Sequence, residues 1–277
     1  MNSSLPRADI ALARRLERAE ACANAATVEA RRAVQPQVGA EWIDVAGAYA
    51  MFDGPDSPIT QTFGLGLFEP FAENEFEQVE DFFTTRGAAT AHEVSSFAAQ
   101  STLGLLSARG YTPIEASTVL IRQATTIDGP SGPIAVRVTD VGEAPLWSRI
   151  AAQGWGADAP ELIAFLEDLG AVIARTSGVT CFLAELNGEP IATAALNVAN
   201  GVALLAGAGT IPTARRQGAQ LALLRARLEF AESRGIDLAM VVTSPGSASQ
   251  RNSERQGFRP AYTRAKWNRP IGRGGRR

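Results

Sequence analysis

The run with most chemistry in it is Gly209-Thr210-Ile211-Pro212-Thr213-Ala214-Arg215-Arg216-Gln217-Gly218-Ala219-Gln220. A strand-like segment ends there, a basic turn containing glycine follows, and a helix with an apolar stripe begins at once. Such a turn aims several backbone N–H groups at one point, and the helix dipole favours negative charge there. The chemistry is anion binding, and the expected anion is the pyrophosphate of a large cofactor. Arginine in a first helical turn opposes the macrodipole unless an anion is present, which favours a ligand over a merely solvated helix start.

Other chemistries lack their residues. His92 is the single histidine, so a multi-histidine zinc site is excluded within one chain. No nucleophile motif surrounds His92, which argues against a Ser-His-Asp triad and for a core or surface histidine. Cys22 and Cys181 stand far apart without metal-ligand spacing, so neither a disulfide framework nor a metal is expected, and a reducing cytoplasm is the default. Against 29 acidic residues stand 26 basic ones, a balance unsuited to nucleic acid. The exception is the arginine- and glycine-rich tail 270–277, expected to be a flexible basic end. There is no signal-peptide pattern and no run of about 18 apolar residues, so no secretion and no membrane span are expected.

Periodicity then supplies the elements that must position the basic turn. A helix is expected over 8–34, ended by Pro36. Strand-like segments follow at 42–52 and 61–68, with a helix at 73–86, a strand at 89–94, a helix at 98–109 and a strand at 113–122. Residues 125–133 have linker composition. Beyond them a strand at 134–139 precedes helical stretches at 143–153 and 160–174. Strands at 180–186, 190–197 and 202–208 are joined by Asn187-Gly188 and Asn200-Gly201, strong hairpin signals that make this an antiparallel meander. The helix after the basic turn carries Leu221, Leu224, Leu228 and Ala231 on one face, and a strand at 238–242 implies a parallel pair. A short helix at 247–256 and a strand at 260–268 complete the pattern. The halves also echo each other: Gly87 to Gly110 spans 23 residues and Gly235 to Gly257 spans 22, each interval holding a strand and a helix. An internal duplication is expected.

With these elements in this order, residues 134–268 resemble the GNAT acyltransferase superfamily. Its signature is Gln/Arg-x-x-Gly-x-Gly/Ala between the fourth strand and the third helix. Arg215 and Gly218 match it, while Gln220 departs at the small position. The resemblance implies an α/β (α+β) fold of two GNAT-like domains, each a mixed, mostly antiparallel sheet flanked by helices. Residues 1–128 would be a degenerate copy, with an acceptor-site or structural role, and 132–269 the acyl-CoA-binding domain. It further implies that the backbone of Arg216, Gln217, Gly218, Ala219 and Gln220 holds the CoA pyrophosphate. Thr210 and Ile211 would pair with the pantetheine arm, one of their N–H groups polarising the thioester carbonyl. The helix around Ser249 and Asn252 would flank the arm. In the first half Glu73, Glu75 and Glu77 stand where arginines would be needed, and would repel a pyrophosphate, so one CoA site per chain is expected.

The implied activity is direct transfer of an acetyl or other acyl group from acyl-CoA to a primary amine in a ternary complex. Positioning both reactants is worth roughly 7–11 kcal/mol. Keeping a lysine-like amine neutral at pH 7 costs about 4.6 kcal/mol, which calls for a base or a desolvating pocket. Glu185, inside its strand, and the pair His92 and Glu93 are candidates. The family's usual acid is a tyrosine five residues before the Gly-Phe phenylalanine; that position is Ser253, with Tyr262 as an alternative donor. The missing tyrosine keeps open a second reading, a non-catalytic acyl-CoA-binding or sensing module. A nucleotide phosphate loop is disfavoured because its glycine motifs are absent. The acceptor would be a small-molecule or peptide amine, and the protein a monomer or homodimer.

Overall fold

The computed structural model describes residues 5–127 and 132–269, so the tail 270–277 and part of the linker lie outside the described residues. The chain forms two compact units, Ile121–Val241 and a discontinuous one of Met1–Leu120 with Val242–Arg277. Both are mixed α/β with a mostly antiparallel sheet, as expected for two GNAT-like domains.

The discontinuous unit begins with α1 (Ile10–Val34), whose N-cap Asp9 accepts the Leu12 N–H at 2.9 Å. Then come β1 (Glu41–Val45), β2 (Ala48–Phe52), β3 (Gln61–Phe63), α2 (Glu73–Thr84), β4 (Thr90–Ser95), α3 (Gln100–Ala108) and β5 (Thr112–Gln123). The strand expected over 42–52 is a hairpin: Ala46 and Gly47 take positive φ (49° and 77°), and Asp44 accepts the Gly47 N–H. β3 is shorter than expected, because the chain turns at Gly64 and Gly66, both with positive φ.

The other unit holds β6 (Ile134–Val138), α4 (Ala144–Trp155), α5 (Ile163–Ile173), β7 (Val179–Leu186), β8 (Glu189–Ala199), β9 (Val202–Thr210), α6 (Ala219–Ser233) and β10 (Leu238–Thr243), with strand order β10-β9-β8-β7-β6. Both Asn-Gly turns have positive φ at both positions, as a type I′ turn requires. Trp147 is fully buried among Ala151, Cys181, Leu183 and Ala195, and its indole N–H donates to the Phe182 carbonyl at 3.0 Å. β9 and β10 run parallel, as expected of the strand–helix–strand pattern.

After β10 the chain returns to the discontinuous unit with α7 (Ala248–Arg255) and β11 (Arg259–Arg269). β11 pairs antiparallel with β4, Arg264 opposite Ser95 and Arg269 opposite Thr90. The units therefore do not follow the contiguous division at 128–132 that the linker composition suggests. A pairing between residues 169 to 179 positions apart leaves no local signature.

The same strand is tied to α1. The Tyr262 hydroxyl donates to Glu17 at 2.8 Å, and Arg264 forms ion pairs with Glu17, at 3.1 Å, and with Glu20. Burial pushes the Glu17 carboxyl up to about 7, opposed by Arg264 and reinforced by Glu20 and Glu93. Burial also raises Glu93, on β4. Among the described residues no helix is long and apolar enough to cross a membrane.

Because Glu17 titrates higher when folded than its ordinary 4.5, the folded protein keeps a proton that the unfolded chain has lost between pH 4.5 and 7. Stability therefore falls as pH rises through that window and is level above it. Glu17→Gln should remove up to one proton's share of that slope, about 1.36 kcal/mol per pH unit. Denaturant unfolding at a series of pH values checks this; an unchanged slope would contradict it.

Candidate functional site

β9 pairs with β8 along its length, but with β10 only at Val202, Ala203 and Leu204. From Leu205 onward its other edge has no strand partner among the described residues. A bulge lies on this stretch: Gly209 stands opposite Thr193 and Ala206 opposite Ala195, so Gly207 and Ala208 face Ala194 alone. Gly207 has φ +60°. Bulges bend a strand and re-aim its groups, and they favour functional sites.

α4 lies close against this segment. An added Cβ at Gly154 would sit 2.9 Å from the Gly209 carbonyl carbon and the Thr210 nitrogen. One at Gly209 would sit 2.8 Å from the Trp155 ring, and one at Gly207 3.3 Å from it. Three glycines thus let the helix end and its indole approach bare strand. Trp155 is itself held edge-on against Trp147, with ring centroids 5.9 Å apart.

The basic turn follows. A short 3-10 turn covers Pro212–Ala214, Arg215 is extended, Arg216 has φ +65°, and Gly218, the N-cap of α6, has φ +90°. A left-handed arginine costs roughly 1–3 kcal/mol, the kind of strain that gathers at ligand sites. The N–H groups of Arg216, Gln217, Gly218 and Ala219 donate to no backbone carbonyl among the described residues. The first turn of α6 holds no acidic residue, and no side chain caps it. An added Cβ at Gly218 would meet nothing within 4 Å, so space lies open before it. Open space, free donors and a bare helix N-terminus make an anion cradle.

Of the two groups expected to serve a thioester carbonyl, the Ile211 N–H is taken: it donates to the Ile191 carbonyl at 3.0 Å. The reason is that Ile211 still follows β8 after β9 ends. The Thr210 hydroxyl is buried with no hydrogen-bond partner. Ser249 and Asn252 lie on α7, in the discontinuous unit, and Asn252 accepts from Arg255 at 2.9 Å.

The acid–base candidates are placed as follows. Glu185 accepts from Arg137 Nε at 2.9 Å, and Arg137 also grips Glu143, so Glu185 belongs to an ion-pair network at the β6–β7 margin. Tyr262 is buried, bound to Glu17, and raised above its ordinary range first by burial and then by Glu17, which makes it a poor proton donor. His92 is fully buried against Tyr111 and Phe76; burial pushes it down to about 3, so it is a neutral core histidine. Glu93, next along β4, is largely buried with one oxygen unpartnered. Ser253 lies on α7, where its carbonyl caps the helix end by accepting from Gln256 and Phe258. Among the described residues no three His, Cys, Asp or Glu side chains gather to hold a metal ion.

In the discontinuous unit the segment matching the basic turn is closed. Leu65 and Leu67 are buried, and Arg14 of α1 donates to the Leu67 and Phe68 carbonyls at 2.8 and 3.3 Å. Gly66 abuts Thr102 so tightly that a Cβ would collide with its hydroxyl. Glu75 accepts the Ala72 N–H, so α2 is capped by its own carboxylate, with Glu73 and Glu75 in its first turn.

Residues 146–258 match the acetyltransferase (GNAT) family model. A GCN5-related N-acetyltransferase from Kribbella flavida superposes with TM-score 0.64 at 20% identity, covering 89% of this chain and 96% of its own. A tandem GNAT protein from the clavulanic acid biosynthesis pathway gives 0.56 at 14% identity, covering 80% and 78%. A GCN5-related N-acetyltransferase from Sphaerobacter thermophilus gives 0.51 at 16%, covering 76% and 71%. At these identities the shared property is the fold. No curated protein matches the sequence.

Gly154→Ala should destabilise the protein by about 1–3 kcal/mol, since the methyl would meet backbone that cannot yield without moving α4 off β9. The urea midpoint of the variant checks this, and an unchanged midpoint would mean the contact is soft.

Proposed function

We propose, from the match of residues 146–258 to the acetyltransferase (GNAT) family model, that the protein transfers an acetyl group from acetyl-CoA to a primary amine. The turn Arg215–Gln220 holds the CoA pyrophosphate, and the pantetheine arm lies along the unpaired edge of β9. The observation that carries this reading is the set of four undonated N–H groups at an uncapped helix N-terminus. Arg215 and Arg216 add charge, and Gly218 keeps the approach open. With the Ile211 N–H spent on Ile191, the donor to the thioester carbonyl comes from the unpaired stretch of β9 before it.

The chemistry is one displacement. The neutral amine attacks the thioester carbonyl, a tetrahedral oxyanion forms, the C–S bond breaks to release CoA thiolate, and the attacking nitrogen gives up its extra proton to water. A thiol with a pKa of about 8.5 can leave as thiolate and take its proton from water, consistent with Ser253 standing where the resembled family has tyrosine. The acceptor is a small-molecule or peptide amine, and the acidic residues of the first half favour a cationic one. The degenerate first copy serves structure or acceptor shaping, because its own turn is filled by leucines and carboxylates. The two free cysteines suit a cytoplasmic enzyme. The absent tyrosine favours one other reading, a module that binds acyl-CoA without turnover.

Calorimetric titration with acetyl-CoA should give one site per chain; two sites would overturn the assignment. Arg215→Ala and Arg216→Ala should each weaken binding roughly ten- to hundredfold, the loss of one charge-assisted contact. Gly218→Val, which crowds the turn and strains its left-handed N-cap, should abolish binding; retained affinity would mean the site lies elsewhere. Thiol release with a panel of amines, read alongside the acceptor's mass shift, separates the enzyme from the module.

A further inference from the structure

Arg227 occupies a core position on α6 with no carboxylate paired to it among the described residues. Its guanidinium donates only to backbone carbonyls: Nη1 to Ala195 at 3.2 Å and Ala206 at 3.3 Å, and Nε to Leu223 at 3.1 Å. Burial pushes the guanidinium down to about 10. A buried, unpaired cation is costly, and an apolar residue would fill this helix stripe at less expense. The two carbonyls it reaches are those of the facing pair at the bulge, Ala195 and Ala206. The Ala206 carbonyl shares its peptide group with the Gly207 N–H, the first group of the bulge and part of the unpaired edge of β9. A cation on the carbonyl end of a peptide strengthens the N–H end as a donor.

We propose that Arg227 is a positioning residue for acyl transfer: it pins the β9 bulge and polarises its peptide so that the bulge N–H grips the thioester carbonyl. The inference rests on acetyl-CoA lying along β9, as argued above. It assigns the arginine a task distinct from pyrophosphate binding, because Arg227 is sealed beneath the strand while Arg215 and Arg216 belong to the exposed turn. As the amine attacks, the carbonyl oxygen gains negative charge, and the polarised N–H stabilises it more than it stabilises the ground state.

The test uses the full chain and acetyl-CoA carrying a 13C label at the thioester carbonyl, read by isotope-edited infrared difference spectroscopy. Bound to the wild type, the carbonyl band should lie below its position in solution. In Arg227→Met it should move back toward the solution value, while calorimetry finds the affinity for acyl-free CoA changed less than about twofold. Arg227→Lys, which retains the cation, should restore most of the shift. Turnover with an accepted amine should fall roughly ten- to hundredfold in Arg227→Met, at the lower end of the loss from deleting an oxyanion donor. An identical band in wild type and Arg227→Met would overturn the proposal, as would a wild-type band at the solution value. If Arg227→Met does not fold, Arg227→Gln decides by the same band. A wild type that binds no acetyl-CoA would instead remove the functional reading itself, a result distinguishable from normal binding with an unmoved band.

Discussion

β9 shares an edge with β10 for only three residues, and then the two strands part. Backbone N–H and C=O groups in a folded chain need partners, so a strand that leaves its neighbour must either meet water or be built to meet something else. Three features of this unit answer that demand. The bulge at Gly207 and Ala208 turns the strand, Gly154 and Trp155 cover it from the helix side, and Arg227 takes carbonyls at the bulge. What remains open is one edge of backbone leading directly into the turn before α6. That turn keeps the N–H groups of Arg216 to Ala219 donating to no backbone carbonyl among the described residues, at the point where the open edge ends.

The turn before α6 and the loop before α2 are filled differently. Where the turn before α6 keeps donors bare and its glycine unobstructed, the loop before α2 fills the equivalent space with Leu65 and Leu67 and hands its carbonyls to Arg14. The helix dipole that could attract a phosphate is met by Glu73 and Glu75 of the same chain. The polar interior of the discontinuous unit is given over to joining α1 and β11 through Glu17, Tyr262 and Arg264.

Much of this was legible residue by residue. Pro36 ended the first helix and the Asn-Gly pairs fixed two hairpins, because each is a local signal whose physics acts within a few residues. The hairpin at Ala46–Gly47 was hidden since alanine is not a usual left-handed residue; the tolerance comes from Asp44 accepting the next N–H. Arg227 was hidden because an arginine between Leu223 and Leu228 reads as the polar side of the stripe, and only its carbonyl partners show that it belongs inside. Glu185 and Tyr262 had the right chemistry in sequence and the wrong company in space.

The sequence by itself determined the element order, the turn types, the basic turn before a helix and the superfamily resemblance, all of which rest on short-range propensity and spacing. Tertiary structure alone decided that the last strand belongs with β4, that β9 parts from β10 after Leu204, and that one buried arginine sits at the bulge. Those outcomes depend on which distant segments satisfy each other's backbone groups. That is a property of the packed chain, and no local pattern encodes it.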